Sequence, residues 1–108
     1  MRIALPYDDE VLYYHYAKAK QFIIYEIKRK KVIRSWVIDA YGQGKDIQMN
    51  LLQSRSVDVL ICEKICPSAI EGLHKIGIVV IQGANGYTDE IVYDYLHELL
   101  VLDNQKCH

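Results

Sequence analysis

The stretch "VDVLICEKICPSAIEGLHKIGIVVIQ", Val57 to Gln82, decides the fold. It opens on Val57–Cys62, an apolar run bounded by polar residues, which reads as a central strand. Pro67 then stands at a first-turn position, where its missing N–H costs nothing. Ala69, Ile70, Leu73 and Ile76 recur at helical spacing until Gly77 ends the run. Ile78–Gln82 is apolar again and rich in β-branched residues, a last strand. Strand, helix and strand in so short a span predict a parallel crossover.

Working outward, Gln21–Lys28 and Val32–Ala40 are rich in β-branched and aromatic residues. The charged Arg29, Lys30 and Lys31 between them leave room only for a tight turn, so the pair reads as a hairpin. Arg2–Tyr7 is a short apolar strand closed by an acidic run. Asp46–Arg55, with Ile47, Leu51 and Leu52 on one side, reads as a short amphipathic helix. Thr88–Asp103 starts on a Thr cap followed by Asp89 and Glu90, with Val92, Tyr95, Leu96, Leu99 and Leu100 as its buried stripe. The expectation is α/β: a mixed five-stranded sheet flanked by three helices, residues 1–108 forming one domain.

Composition narrows the function. The net charge of -1 supplies no basic field for nucleic acid or an acidic membrane surface. A membrane span needs ~20 continuous apolar residues, and none occur, nor does the apolar core of a signal peptide. The expected setting is the cytoplasm, where three cysteines, an odd count, read as free thiols.

In such sheets ligands gather at the carboxyl ends of strands. That rim collects Tyr7–Tyr16, Tyr41–Lys45, Cys62–Ser68 and Gly83–Thr88. Cys66 stands just before Pro67, where free helix-end amides and the helix dipole favour a thiolate, and Lys64 adds positive charge. Cys66 therefore reads as a soft-metal ligand or a reactive thiol. Cys62 reads as a core side chain or a supporting ligand. Their spacing is not the C-x2-C of zinc ribbons, and no second pair completes a four-ligand set. His15, in a loop of tyrosines, is a candidate metal or anion ligand, or else an imidazole stacked on its neighbours. His74 and His97 read as solvated, and Cys107 with His108 as a frayed tail that would otherwise join a soft-metal site.

The turn "YGQGKD" offers Gly42, Gly44 and Lys45 ahead of a helix, an anion-binding arrangement or a plain turn. "GANGY", Gly83 to Tyr87, has the same two readings. Asp8, Asp9 and Glu63 are the acids a two-metal nuclease would need, with Asp46 a weak fourth. The basic run Lys28–Arg34 reads as a solvated hairpin tip that protects an edge from strand pairing, or as a docking surface for an acidic partner.

Three segments together carry a resemblance: "MRIALPYDDE"; His15-Tyr16-Ala17-Lys18-Ala19 leading to "FIIYEI"; and "VDVLICEKICPSAIEGLHKIGIVV". Across nearly the whole chain the sequence resembles the dinitrogenase iron-molybdenum cofactor biosynthesis family. The resemblance implies a ribonuclease-H-like α/β fold, its five expected strands in the order 3-2-1-4-5 with strand 2 antiparallel. It also implies a non-enzymatic carrier of an iron-sulfur or molybdenum-containing cluster that passes between a cluster donor and an acceptor protein. Where the family shows His-Phe-Gly, this chain has His15, Tyr16 and Ala17; where it shows Gly-Gly-Ile-Gly-Pro, this chain has Glu63, Lys64, Ile65, Cys66 and Pro67. Losing those glycines removes close backbone approach and favours side-chain recognition by Lys64 and Cys66. The expected site is thus His15, Gly42, Gly44, Lys64 and Cys66 around a metal-sulfur cluster or small anion, with His15, Cys62 and Cys66 as metal ligands.

Overall fold

The computed structural model describes residues 1–102; Cys107 and His108 lie outside the described residues. The elements run β1 (Arg2–Asp8), β2 (Val11–Leu12), a 3-10 turn (Tyr16–Lys18), β3 (Gln21–Lys28), β4 (Lys31–Asp39), α1 (Lys45–Ser54), β5 (Val59–Ile61), α2 (Pro67–Lys75), β6 (Val79–Ile81) and α3 (Thr88–Leu96). The architecture is mixed α/β, with three helices on one mixed sheet ordered β4-β3-β1-β5-β6. β3 is antiparallel to β1 and β4, whereas β5 is parallel to β1 and β6. The two-residue β2, absent from the sequence expectation, pairs with β1.

Alternation along the strands builds two apolar layers. On β3, Phe22 and Ile24 enter one with Ala4, Leu60, Leu52, Ala69 and Leu73, beneath α1 and α2. Ile23, Tyr25 and Ile27 enter the other with Ile3, Leu5, Ile61, Ile91 and Val92, beneath α3. Each large side chain buried there contributes roughly 1.5–3 kcal/mol relative to exposure. The β3–β4 turn uses Arg29 and Lys30 at φ +55° and +61°, the paired left-handed geometry whose twist suits a two-residue hairpin.

Two helices depart from expectation. α3 ends at Leu96, not Asp103. Glu98 takes a left-handed φ of +59°, and Leu99 is 60% exposed, so the last leucines of the expected stripe belong to the segment after the helix. Thr88 is the first helical residue rather than the cap, and its hydroxyl is hydrogen-bonded to Tyr25 Oη at 2.9 Å. In α1 the inward residues are Gln48 and Leu52, while Ile47 is half-exposed. A glutamine displaces an isoleucine from the core because two buried carbonyls, of Tyr16 and Ala19, need its amide donors.

Candidate functional site

The site is built on residues 13–19, which cross the carboxyl end of the sheet. His15 has extended backbone and forms an isolated parallel bridge with Lys64, just after β5. Lys64 N–H donates to the Tyr14 carbonyl at 3.1 Å, and Tyr16 N–H donates to the Lys64 carbonyl at 3.3 Å. From the α1 side, Gln48 Nε2 donates to the Tyr16 and Ala19 carbonyls at 3.1 and 2.9 Å, and Tyr16 Oη donates to the Lys45 carbonyl at 3.3 Å.

Between these fastenings lies a cleft of about 210 Å³ lined by His15, Tyr16, Ala17, Lys64, Ile65 and Cys66. Cys66 is the N-cap of α2 and exposed, because Pro67 fixes the helix start immediately after it. Its Sγ lies 3.3 Å from Ser68 Oγ, and Ser68 Oγ accepts a 2.6 Å hydrogen bond from Lys45 Nζ. With that lone pair engaged, the Ser68 proton is free to point at sulfur. The Ser68 hydrogen bond, the Ala69 N–H and the Lys45 charge together hold the Cys66 thiol below its ordinary pKa. His15 is half-buried, its ring set edge-on to Tyr14 at 5.9 Å. Its Nδ1 is shut off from solvent with no hydrogen-bond partner among the described residues.

His15, Lys64 and Cys66 are thus brought to one cleft. Cys62 is not: it is fully buried in the layer under α1 and α2, its thiol faces the Ile81 carbonyl at 3.7 Å, and burial pushes its pKa up to about 12. A buried, proton-retaining thiol of this kind fills space in the core. Gly42 and Gly44 also lie apart from the cleft lining. Their N–H groups donate to the Ala19 and Ala17 carbonyls at 2.9 and 3.1 Å, so they brace the 3-10 turn and are not open to an anion. The amides expected to wrap a ligand are thus engaged within the chain in this structure. Among the described residues no three Asp, Glu, His or Cys side chains gather as a metal-binding group, so Asp8, Asp9 and Glu63 do not form the nuclease constellation.

Two residues were missed. Lys45 was visible only as part of a glycine turn, and Ser68 only as a residue of the helix start; what joins them is the side-by-side packing of α1 and α2, which no local pattern encodes.

Among the described residues, the sheet rim thus places an exposed thiol, an imidazole and a lysine in one cleft of a mixed α/β scaffold. The chain belongs to the dinitrogenase iron-molybdenum cofactor family, whose sequence profile matches residues 1–98. It is 27% identical over 101 residues to the uncharacterised protein MJ0580 of Methanocaldococcus jannaschii, covering 89% of this chain and 86% of that one. In fold it is similar to the crystal structure of PH0822, with a TM-score of 0.90 at 21% identity and complete coverage of both chains. It is also similar to the apo form of the orange protein from Desulfovibrio gigas, with a TM-score of 0.78 at 18% identity over 95% of this chain and 92% of that one.

Proposed function

We propose that the protein, acting as one domain, is a small non-catalytic carrier that holds a metal-sulfur cluster, or a similarly compact anionic cofactor, in the cleft at His15, Lys64 and Cys66. Family membership supports the cargo class, and a ribonuclease-H-like scaffold is part of the same reading, supported by the strand order. The observation that carries it is the convergence of an exposed, thiolate-favouring Cys66 with His15 across a cleft flanked by Lys64 and Lys45. Thiolate and imidazole are the donors that iron-sulfur and copper species prefer. Two such donors do not complete a tetrahedral ion, so the cargo is one that brings sulfide or oxide ligands of its own, and the ammonium groups offset its charge. The unpartnered His15 Nδ1 is an unmet demand worth about 1–3 kcal/mol, which reorientation of the ring around a bound anion relieves.

Anaerobic reconstitution with iron and sulfide, followed by absorption spectra, tests this. The parent protein develops charge-transfer bands, Cys66→Ser loses most of them and His15→Ala binds more weakly. Variants that load as well as the parent overturn the assignment.

A further inference from the structure

Among the described residues β4 is the free edge of the sheet, paired only with β3. Of its nine residues only Ile38 is buried, and Val32, Ile33 and Val37 are 45%, 53% and 42% exposed. So long an apolar edge is a template for another strand. Its two ends carry opposite charge. At its start stands the exposed tip Lys28, Arg29, Lys30 and Lys31. At its finish lies a pocket of about 520 Å³ walled by Tyr7, Tyr13 and Tyr41, with Asp8 and Asp39 set against the single cation Lys20.

We infer that two copies of this chain pair antiparallel along β4 about a two-fold axis at Ser35, each seating its basic hairpin tip in the tyrosine-and-carboxylate pocket of the other. The strand itself names the occupant. "KVIRSWVID", Lys31 to Asp39, is complementary to its own reverse: about Ser35, Arg34 meets Trp36, Ile33 meets Val37 and Lys31 meets Asp39. Lys30, next to Lys31 in the β3–β4 turn, adds a second cation at the end that faces Asp39. Arg34 already lies 5.2 Å from the Trp36 ring centroid within one chain, so the second copy extends a cation–π row rather than starting one. Antiparallel addition also pairs the outward backbone groups of β4. Parallel addition would set tip on tip, and four like charges oppose it. The tip therefore excludes one mode of edge pairing and selects the other. Because the cleft at Cys66 includes no residue of β4, this pairing is independent of the cargo.

Sedimentation velocity of the full chain over two decades of micromolar concentration tests it. The parent protein dimerises reversibly, and more weakly as salt rises. Asp39→Lys alone, and Lys30→Asp with Lys31→Asp, each weaken self-association about tenfold. An equimolar mixture of the two variants recovers the dimer, because both tip-to-pocket contacts then pair opposite charges. Circular dichroism verifies that these exposed substitutions leave the fold intact. A parent protein that stays monomeric throughout, an Asp39→Lys variant that dimerises undiminished, or a mixture no tighter than its components overturns the inference.

Discussion

Lys45 Nζ and Ser68 Oγ lie 2.6 Å apart, tying the first turn of α1 to the first turn of α2 at the mouth of the Cys66 cleft. Through this bond a lysine on one helix acts on a thiol that caps another, since Ser68 Oγ is in turn 3.3 Å from the sulfur.

The two described thiols should therefore part company in alkylation. Cys66 is exposed with a lowered pKa, so its thiolate, and with it the rate with iodoacetamide, rises at lower pH than for a free cysteine. Cys62, pushed up to about 12 and buried, stays unmodified at neutral pH until the chain unfolds. Peptide mapping after timed alkylation measures both. Ser68→Ala and Lys45→Met should move the Cys66 profile back toward higher pH.

Gly42→Ala should destabilise the fold by about 1–3 kcal/mol. An added Cβ would stand 2.6 Å from the Lys18 carbonyl oxygen, and the residue holds φ +59°. Gly44→Ala meets no atom within 4 Å and carries only the strain of φ +99°, so it should cost less. Urea unfolding of the two variants side by side provides the comparison, and equal losses would show that the contact with Lys18 is not the cause.

Gln48→Leu keeps the volume of a fully buried side chain but takes one of two hydrogen bonds from each of the Tyr16 and Ala19 carbonyls, which retain the Ala19 and Gly42 N–H groups. We expect a loss of about 1–3 kcal/mol from two broken hydrogen bonds, offset slightly by removal of Gln48 Oε1, which has no partner among the described residues. Faster amide exchange at Gly42 and Gly44, whose N–H groups are bonded to the same segment, would locate the loosening there.

Tyr25 Oη donates to Asp89 Oδ1 at 2.6 Å and is hydrogen-bonded to the Thr88 hydroxyl at 2.9 Å, joining β3 to the start of α3. Burial, then the Asp89 hydrogen bond, raises its pKa above the ordinary value of 10.0; burial does the same for Tyr16. The folded state thus binds these protons more tightly than the unfolded chain, so their contribution is fully present below pH 10 and is lost as pH rises beyond it. Tyr25→Phe should cost about 1–2 kcal/mol at neutral pH and flatten the alkaline limb of a stability-versus-pH curve. An unchanged limb would remove Tyr25 as its source.

Local chemistry made much of the scaffold legible. The Lys28–Lys31 turn between two β-branched runs is the observed hairpin, and Pro67 marks the start of α2 within the residue. Legibility failed where tertiary demands reversed a local preference. Leu99 and Leu100 continue the apolar spacing of α3 although the backbone has turned left-handed at Glu98, and Gln48 takes the inward place expected of Ile47. Cys62 and Cys66 look alike as neighbours in sequence. Their difference, one sulfur under two helices and the other beside a serine and a lysine, exists only after α1 packs on α2.

Residues 13–19 are stitched to β1 through Tyr13, to the β5–α2 loop through Tyr14 and Tyr16, and to α1 and the turn before it through Ala17 and Ala19. One wall of the berth is consequently finished when the chain folds and needs no rearrangement on arrival. In the proposed carrier role, a visitor docking there would be held or released by its own bonds to sulfur and imidazole, so the tempo of hand-over would be set by ligand exchange at those two atoms and not by the opening of a door.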